Sequence, residues 1–260
     1  MDILVCVKRV PSSMEDIELT TDGDISSEYL SFSLNEYDTY SLEEAVQMKE
    51  DLGGEVKVVT IGAEETEDIL KLTIAKGADS AIRLWDEKLE EIELSTDVKA
   101  RIVANLVSIL EPDLVFTGLS SDDENHTQFG VELAAILDLP YASFVKSLDY
   151  GDETIVHRGL EGGLQEKLRI KTPAVLTLPT GINEPRYASL MARRRVDDEK
   201  IETMNLADLG FEGFSVPEPK VRIKELCEAS MGERAEIFEG DPEEISKEMV
   251  KSLDEEGVFS

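Results

Sequence analysis

Cysteine, histidine and basic side chains are scarce in this 260-residue chain, and each scarcity removes a class of function. The two cysteines, Cys6 and Cys227, are too few for a disulfide framework, which fits a reducing cytoplasm. Cys6 lies within an apolar run and reads as a small buried residue. The two histidines, His126 and His157, are far apart and have no cysteine cluster beside them, so no metal-ligand set is expected. Lys and Arg total 26 against 57 Asp and Glu, a formal net charge of −31. That balance excludes nucleic-acid binding through a general basic surface, because phosphate contacts need cations. It favours solubility. It argues less for salt adaptation, since fifteen of the 26 basic residues are still Lys. No run of about eighteen apolar residues exists, so no membrane-spanning helix is expected. The first residues show neither the charged-then-apolar pattern nor the cleavage site of a secretory signal, and a cytoplasmic protein is the expectation.

Hydrophobic residues still make up 41 %, enough for a core. Their spacing alternates short apolar runs with helical periods. Strands are expected at 3–7, 56–61, 81–84 and 114–116, and helices at 35–51, 65–76, 97–110 and 126–137. Gly53-Gly54 and Gly77 stop two of those helices. This alternation predicts an α/β fold, a mostly parallel nucleotide-binding-like sheet with helices on both faces. A small hairpin is expected around residues 21–24. After Pro140 the strand-like runs at 142–148, 154–158, 164–170 and 174–178 are too close together for intervening helices. They read as antiparallel additions to the sheet or as a small hairpin layer. Residues 183–200 read as a polar loop. From residue 205 onward glycines and prolines mark an arm, ending in a helix at 242–253 with Ile245, Met249 and Leu253 on one face. The expected division is 1–204 for the α/β domain and 205–260 for an arm that packs on a partner.

The most informative stretch runs from Asp113 to Gly130. It reads as a strand, a polar loop and the first turn of a helix. Free backbone N–H groups at such a helix start attract phosphate, and open α/β sheets bind ligands there. Gly118 lets the chain turn off the strand, and Ser120 and Ser121 offer hydroxyls. The plainer reading is that Asp122, Asp123 and Asn125 only cap a helix. Neither serine has the base and orienting acid that a nucleophile needs.

Four separated stretches carry a family resemblance. Cys6-Val7-Lys8-Arg9-Val10-Pro11 resembles the opening of the β subunit of electron transfer flavoproteins. Asn35-x-Tyr37-Asp38, followed by Leu42-Glu43-Glu44-Ala45-Val46, resembles that family's first helix start. Leu160-Glu161-Gly162-Gly163-Leu164 and Asn183-Glu184-Pro185-Arg186-Tyr187-Ala188-Ser189-Leu190 are similar to two further segments. The opening, residues 156–164 and residues 181–190 look most like the nitrogen-fixation-linked and other electron-bifurcating members. The resemblance implies a heterodimer with an α subunit that carries a redox-active FAD. It implies AMP or a second FAD in this chain.

The resemblance places the nucleotide against Cys6, Asn35, Tyr37, Asp38, Ile61, Gly118, Ser120, Ser121, Asp123, Asn125, His126, Thr127 and Gln128. It makes Asn183, Glu184, Pro185, Arg186, Tyr187 and Leu190 the docking segment for an acyl-CoA or other dehydrogenase. Leu190 is the anchor of that segment. A quinone oxidoreductase or ferredoxin is a further implied partner. The chain departs from the family pattern in four places. Ser120-Ser121-Asp122 replaces Gln-Ala-Ile, and Glu36 replaces a proline. Ser12-Ser13-Met14 lacks the family's aromatic. Residues 193–199 are only half basic, and Arg193, Arg194 and Arg195 read either as a steering patch for acidic partners or as a solvated loop.

Overall fold

A computed structural model describes residues 1–12, 18–20, 25–26, 30–151, 154–211, 219–227 and 237–258. The chain forms two compact units, Met1–Lys224 and Glu225–Ser260. In the first, the chain runs through β1 (Ile3–Cys6), β2 (Arg9–Pro11), β3 (Phe32–Leu34), α1 (Glu36–Leu52), β4 (Val56–Ile61), α2 (Glu67–Ala75) and β5 (Ser80–Leu84). It continues through α3 (Thr96–Leu110), β6 (Leu114–Gly118), α4 (Phe129–Leu137), β7 (Tyr141–Ala142), β8 (Val145–Asp149), β9 (Thr154–Gly159) and β10 (Gln165–Ile170). It ends with β11 (Ala174–Leu178), α5 (Leu190–Arg194) and β12 (Ile201–Met204). The second unit holds α6 (Pro242–Glu255), where Asp241 caps the N–H groups of Glu243 and Glu244.

Seven strands form a parallel sheet in the order β12-β5-β4-β1-β6-β11-β7. The strands at its centre are buried on both faces, and their sequences are correspondingly apolar without alternation. On one face Val5, Val58, Phe116 and Leu176 pack with Leu42, Ala45 and Val46 of α1 and with Ile69 and Leu70 of α2. On the other, Leu4, Val59, Val115 and Val175 pack with Ile102, Val103 and Leu106 of α3 and with Leu133 and Ala134 of α4. Each buried Val, Leu, Ile or Phe among them contributes about 1.5–3 kcal/mol relative to exposure. The additions are a three-stranded antiparallel sheet, β10-β9-β8, and the pair β2-β3.

The structure redraws several expected elements. The helix expected from His126 begins at Phe129, because Asn125 and Thr127 hold left-handed backbone (φ 50° and 55°) that cannot propagate a helix. The strand expected over 142–148 is broken at Phe144 (φ 60°). Its first part joins the parallel sheet beside β11, and its second pairs with β9. Ala174–Leu178 is an interior parallel strand, not an antiparallel addition, in keeping with its unbroken burial. The loop at 183–200 contains α5, and β12 follows it as an edge strand that the sequence reading did not anticipate. Leu206 and Leu209 are buried on the α3/α4 face. Leu19 and Ile25 pair antiparallel around the expected hairpin; its tip at 21–24 lies outside the described residues, as do Ser13, Met14, Asp152, Gly213 and Pro217.

From β1 the chain crosses through α1 to β4 on one side, and after β5 it returns to place β6 on the other. The C-terminal ends of β1 and β6 therefore diverge at a topological switch point, where open sheets of this kind leave a crevice.

Candidate functional site at the switch point and the docking segment

The crevice is shaped by two buried side chains at the start of α1. Asp38 Oδ2 accepts from the Lys8 N–H at 2.7 Å, and Oδ1 accepts from the Gly118 N–H at 3.2 Å. One carboxylate thus ties the ends of β1 and β6 together. Asn35 Nδ2 donates to the Ser120 carbonyl at 2.9 Å, and its Oδ1 accepts from the Asp122 N–H at 3.1 Å. Asn35 and Asp38 were both expected at the nucleotide. The structure commits their polar atoms to holding the loop. Gly118 is needed because a side chain there would meet Tyr37 and the Asp38 carboxylate. Burial pushes the Asp38 carboxyl up to about 7, against hydrogen bonds from Lys8, Asn35 and Gly118. Burial, with the Asp38 charge beside it, drives the Cys6 thiol far above its usual range, so it stays neutral and inert.

The loop that follows is closed on itself. Ser120 Oγ donates to Asn125 Oδ1 at 2.7 Å, and the Asn125 N–H donates to the Ser121 carbonyl. Asn125, His126, Thr127 and Gln128 are left exposed on its outer side. Two non-glycine residues in left-handed backbone, on either side of His126, are the kind of local strain that gathers at ligand loops. Below them lies a ring of charge. Lys8 Nζ reaches Asp123 at 2.7 Å and Glu124 at 3.2 Å, and Lys99 Nζ reaches Glu124 at 2.7 Å. Burial works against both carboxylates, but Lys8 holds Asp123, and Lys99 with Lys8 holds Glu124, below the ordinary range. His126 Nδ1 lies 3.1 Å from Thr96 Oγ1. Ile61 closes the other side at the end of β4, half-buried.

Sequence reasoning did not place Lys8 or Lys99 in this site. The one available signal was that Lys8 directly follows a strand end.

These residues suit an anionic nucleotide. Gly130 seats the start of α4 directly on β6 and β11, since a Cβ there would lie 2.5 Å from Thr177 and 2.6 Å from Thr117. The first N–H groups of α4 have no carbonyl inside the helix to accept them and face the crevice end of the sheet. An open hollow of about 460 Å³ lies elsewhere, between α1 and β8, lined by Glu44, Gln47, Asp51 and Asp149 among others. No lysine or arginine lines it to offset its carboxylates, as Lys8 and Lys99 do at the switch point, so the switch point is the better candidate for a phosphate. Among the described residues no group of three or more His, Cys, Asp or Glu is placed to hold a metal, and no helix is long and apolar enough to cross a membrane.

The segment expected to dock a partner follows β11 and crosses the outside of α1 and α2. Asn183 Nδ2 donates to the Tyr40 carbonyl and to Glu44 Oε2. Arg186 is gripped by Glu43 and Glu50, and its carbonyl accepts from Lys76 Nζ at 2.6 Å. Ser189 Oγ caps α5 by accepting from the Ala192 N–H. Between these anchors Tyr187 is 88 % exposed, Leu190 65 % and Met191 57 %. Glu184 is exposed and Pro185 half-buried.

A parallel sheet with a shaped loop at its switch point and a second, anchored segment presenting apolar side chains defines a nucleotide-binding-like α/β subunit. Residues 24–209 match the family model of the electron transfer flavoprotein domain. A protein of Methylophilus methylotrophus named electron transfer flavoprotein subunit beta is 36 % identical over 263 residues, covering 98 % of each chain. The Bacillus subtilis protein of that name is 31 % identical over 256 residues, 97 % of each chain. The Homo sapiens one is 34 % identical over 213 residues, 81 % of this chain and 83 % of its own. The chain belongs to the electron transfer flavoprotein β-subunit family.

Proposed function

We propose that this chain is the β subunit of a cytoplasmic heterodimeric electron transfer flavoprotein and binds an adenine nucleotide in the crevice between the ends of β1 and β6. The observation that carries the reading is the Asp38 tie between those strand ends, with the Ser120–Gln128 loop built over it. The free N–H groups of α4 supply positive charge for phosphates, and Lys8 and Lys99 offset the Asp123 and Glu124 carboxylates beside them. Asn125, His126, Thr127 and Gln128 offer polar side chains to the ribose and base. Asn35, Asp38 and Gly118 hold the loop that presents them. Cys6, Tyr37 and Ile61 wall the crevice.

The bound group is FAD, with AMP as the alternative. FAD would supply a second redox centre beside the flavin of the α subunit, whereas AMP would be structural. The bifurcating-type look of residues 156–164 and 181–190 favours FAD and, with it, NADH as electron donor to the complex. The anchored segment from Asn183 to Leu190 docks an acyl-CoA or other dehydrogenase, with a quinone oxidoreductase or ferredoxin as acceptor. That segment also separates this reading from a stand-alone nucleotide-binding stress-type domain, which has no use for a preset docking platform. Denaturing the purified heterodimer and identifying the released nucleotides tests the proposal. Two flavins per heterodimer are expected. One flavin and one AMP would overturn FAD and keep the crevice; no nucleotide beyond the α-subunit flavin would overturn the crevice.

A further inference from the structure

Within the segment from Asn183 to Leu190, Arg186 makes the most hydrogen bonds. Its Nε and Nη2 donate to the two oxygens of Glu43 at 2.9 and 3.0 Å. Its Nη1 and Nη2 donate to the two oxygens of Glu50 at 2.6 and 3.1 Å. Its main-chain N–H donates to Glu43 Oε2 as well, at 2.9 Å. One planar guanidinium is therefore forked onto two carboxylates of α1, and Glu43 itself is buried. Asn183 repeats the arrangement three residues earlier with Glu44, also buried. Arg193 Nη2 makes the last attachment, to the Asp68 carbonyl of α2. The anchors alternate with the exposed Tyr187 and Leu190.

We propose that Arg186 is a positioning residue: clamped by Glu43 and Glu50, it presets the Tyr187–Met191 surface and makes no contact of its own with a docked partner. The proposal rests on the docking role given above. The fork uses four of the five N–H donors of the guanidinium, while Tyr187 and Leu190, on either side of Ala188, stay exposed. The charge state fits this role. Burial opposes ionisation of Glu43, yet hydrogen bonds from Arg186 keep its carboxyl below the ordinary range, and bonds from Glu50 and Glu43 raise the guanidinium further above its own. Lysine cannot replace the clamp, because a single ammonium lacks the planar fork that meets both oxygens of Glu43 and both of Glu50 at once.

The test compares Arg186→Lys and Glu50→Gln with the unaltered heterodimer by hydrogen exchange and by steady-state kinetics with an acyl-CoA dehydrogenase. Glu50 is exposed, so its variant folds even if loss of the buried half of the clamp does not allow it. Exchange in residues 187–195 should rise at least about tenfold in Arg186→Lys and less in Glu50→Gln, as for lost charge-assisted hydrogen bonds. KM for the dehydrogenase should rise while kcat holds. A raised KM with no change in exchange would mean that Arg186 touches the partner, and would overturn the proposal. So would exchange equal to the unaltered protein in both variants. Faster exchange with an unmoved KM, when Leu190→Ala also leaves KM unmoved, would overturn the docking role and keep the clamp.

Discussion

Asp38 holds its place at a cost that can be measured. Its carboxyl moves from an ordinary value of 3.8 to about 7 on folding. Below the lower value both the folded and the unfolded chain carry the proton. Between the two, the folded chain keeps a proton the unfolded chain has lost, so stability falls as pH rises; above about 7 the loss is complete. Over about three pH units, at about 1.4 kcal/mol each, the loss is on the order of 4 kcal/mol. Asp38→Asn removes this titration. The difference in unfolding free energy between Asp38→Asn and the native chain should therefore move in the variant's favour between pH 4 and 7 and stay flat above. Nucleotide occupancy should fall in the same variant, since an amide cannot accept from both the Lys8 and Gly118 N–H groups. A stability gap that does not change with pH would show that the carboxyl does not titrate in this window.

Among the elements, α1 serves two sites. Its first turn shapes the loop proposed to hold the nucleotide, through Asn35 and Asp38, and its middle carries the segment proposed to dock a partner, through Glu43, Glu44 and Glu50. Leu190→Ala should leave flavin content untouched and weaken dehydrogenase binding by about 2 kcal/mol or more, as at a packed hot spot. A stopped-flow titration of electron transfer measures it, and a fall in flavin with unchanged kinetics would mean that the segment has been misassigned. Much of this architecture was legible in the chain. The apolar run at Val56–Ile61, with a polar lapse at Lys57, gave β4 to the residue, and the spacing of Leu42, Ala45, Val46 and Met48 gave the buried face of α1. Elements that depend on distant partners were not legible. Ile201–Met204 is a short run with two polar residues and becomes a strand only because β5 offers it an edge. Glu43 and Glu44 look like solvated helix charges until residues about 140 positions away close over them. The start of α4 was misplaced because the left-handed residues before it are asparagine and threonine, not glycine.

At the scale of the whole chain, the second unit presents Met249, Val250 and Leu253 to solvent on a helix whose remaining surface is charged. Such a stripe on an otherwise polar helix calls for a cover, and the α subunit is the cover we propose. A chain lacking residues 225–260 should keep its nucleotide crevice and lose most of its affinity for the α subunit. Copurification at full yield would show that the helix is not part of that interface.

The path from β11 to β12 carries a consequence for assembly. These strands stand five places apart in the sheet, roughly 24 Å at about 4.8 Å per strand, and residues 179–200 cross that distance as a strap over α1 and α2. Every attachment of the strap joins residues far apart in sequence, so its closure entropy is repaid only after the sheet and both helices exist. The strap therefore sets late in folding. A chain caught half-folded has no platform to show, and the partners proposed for it would meet only finished copies.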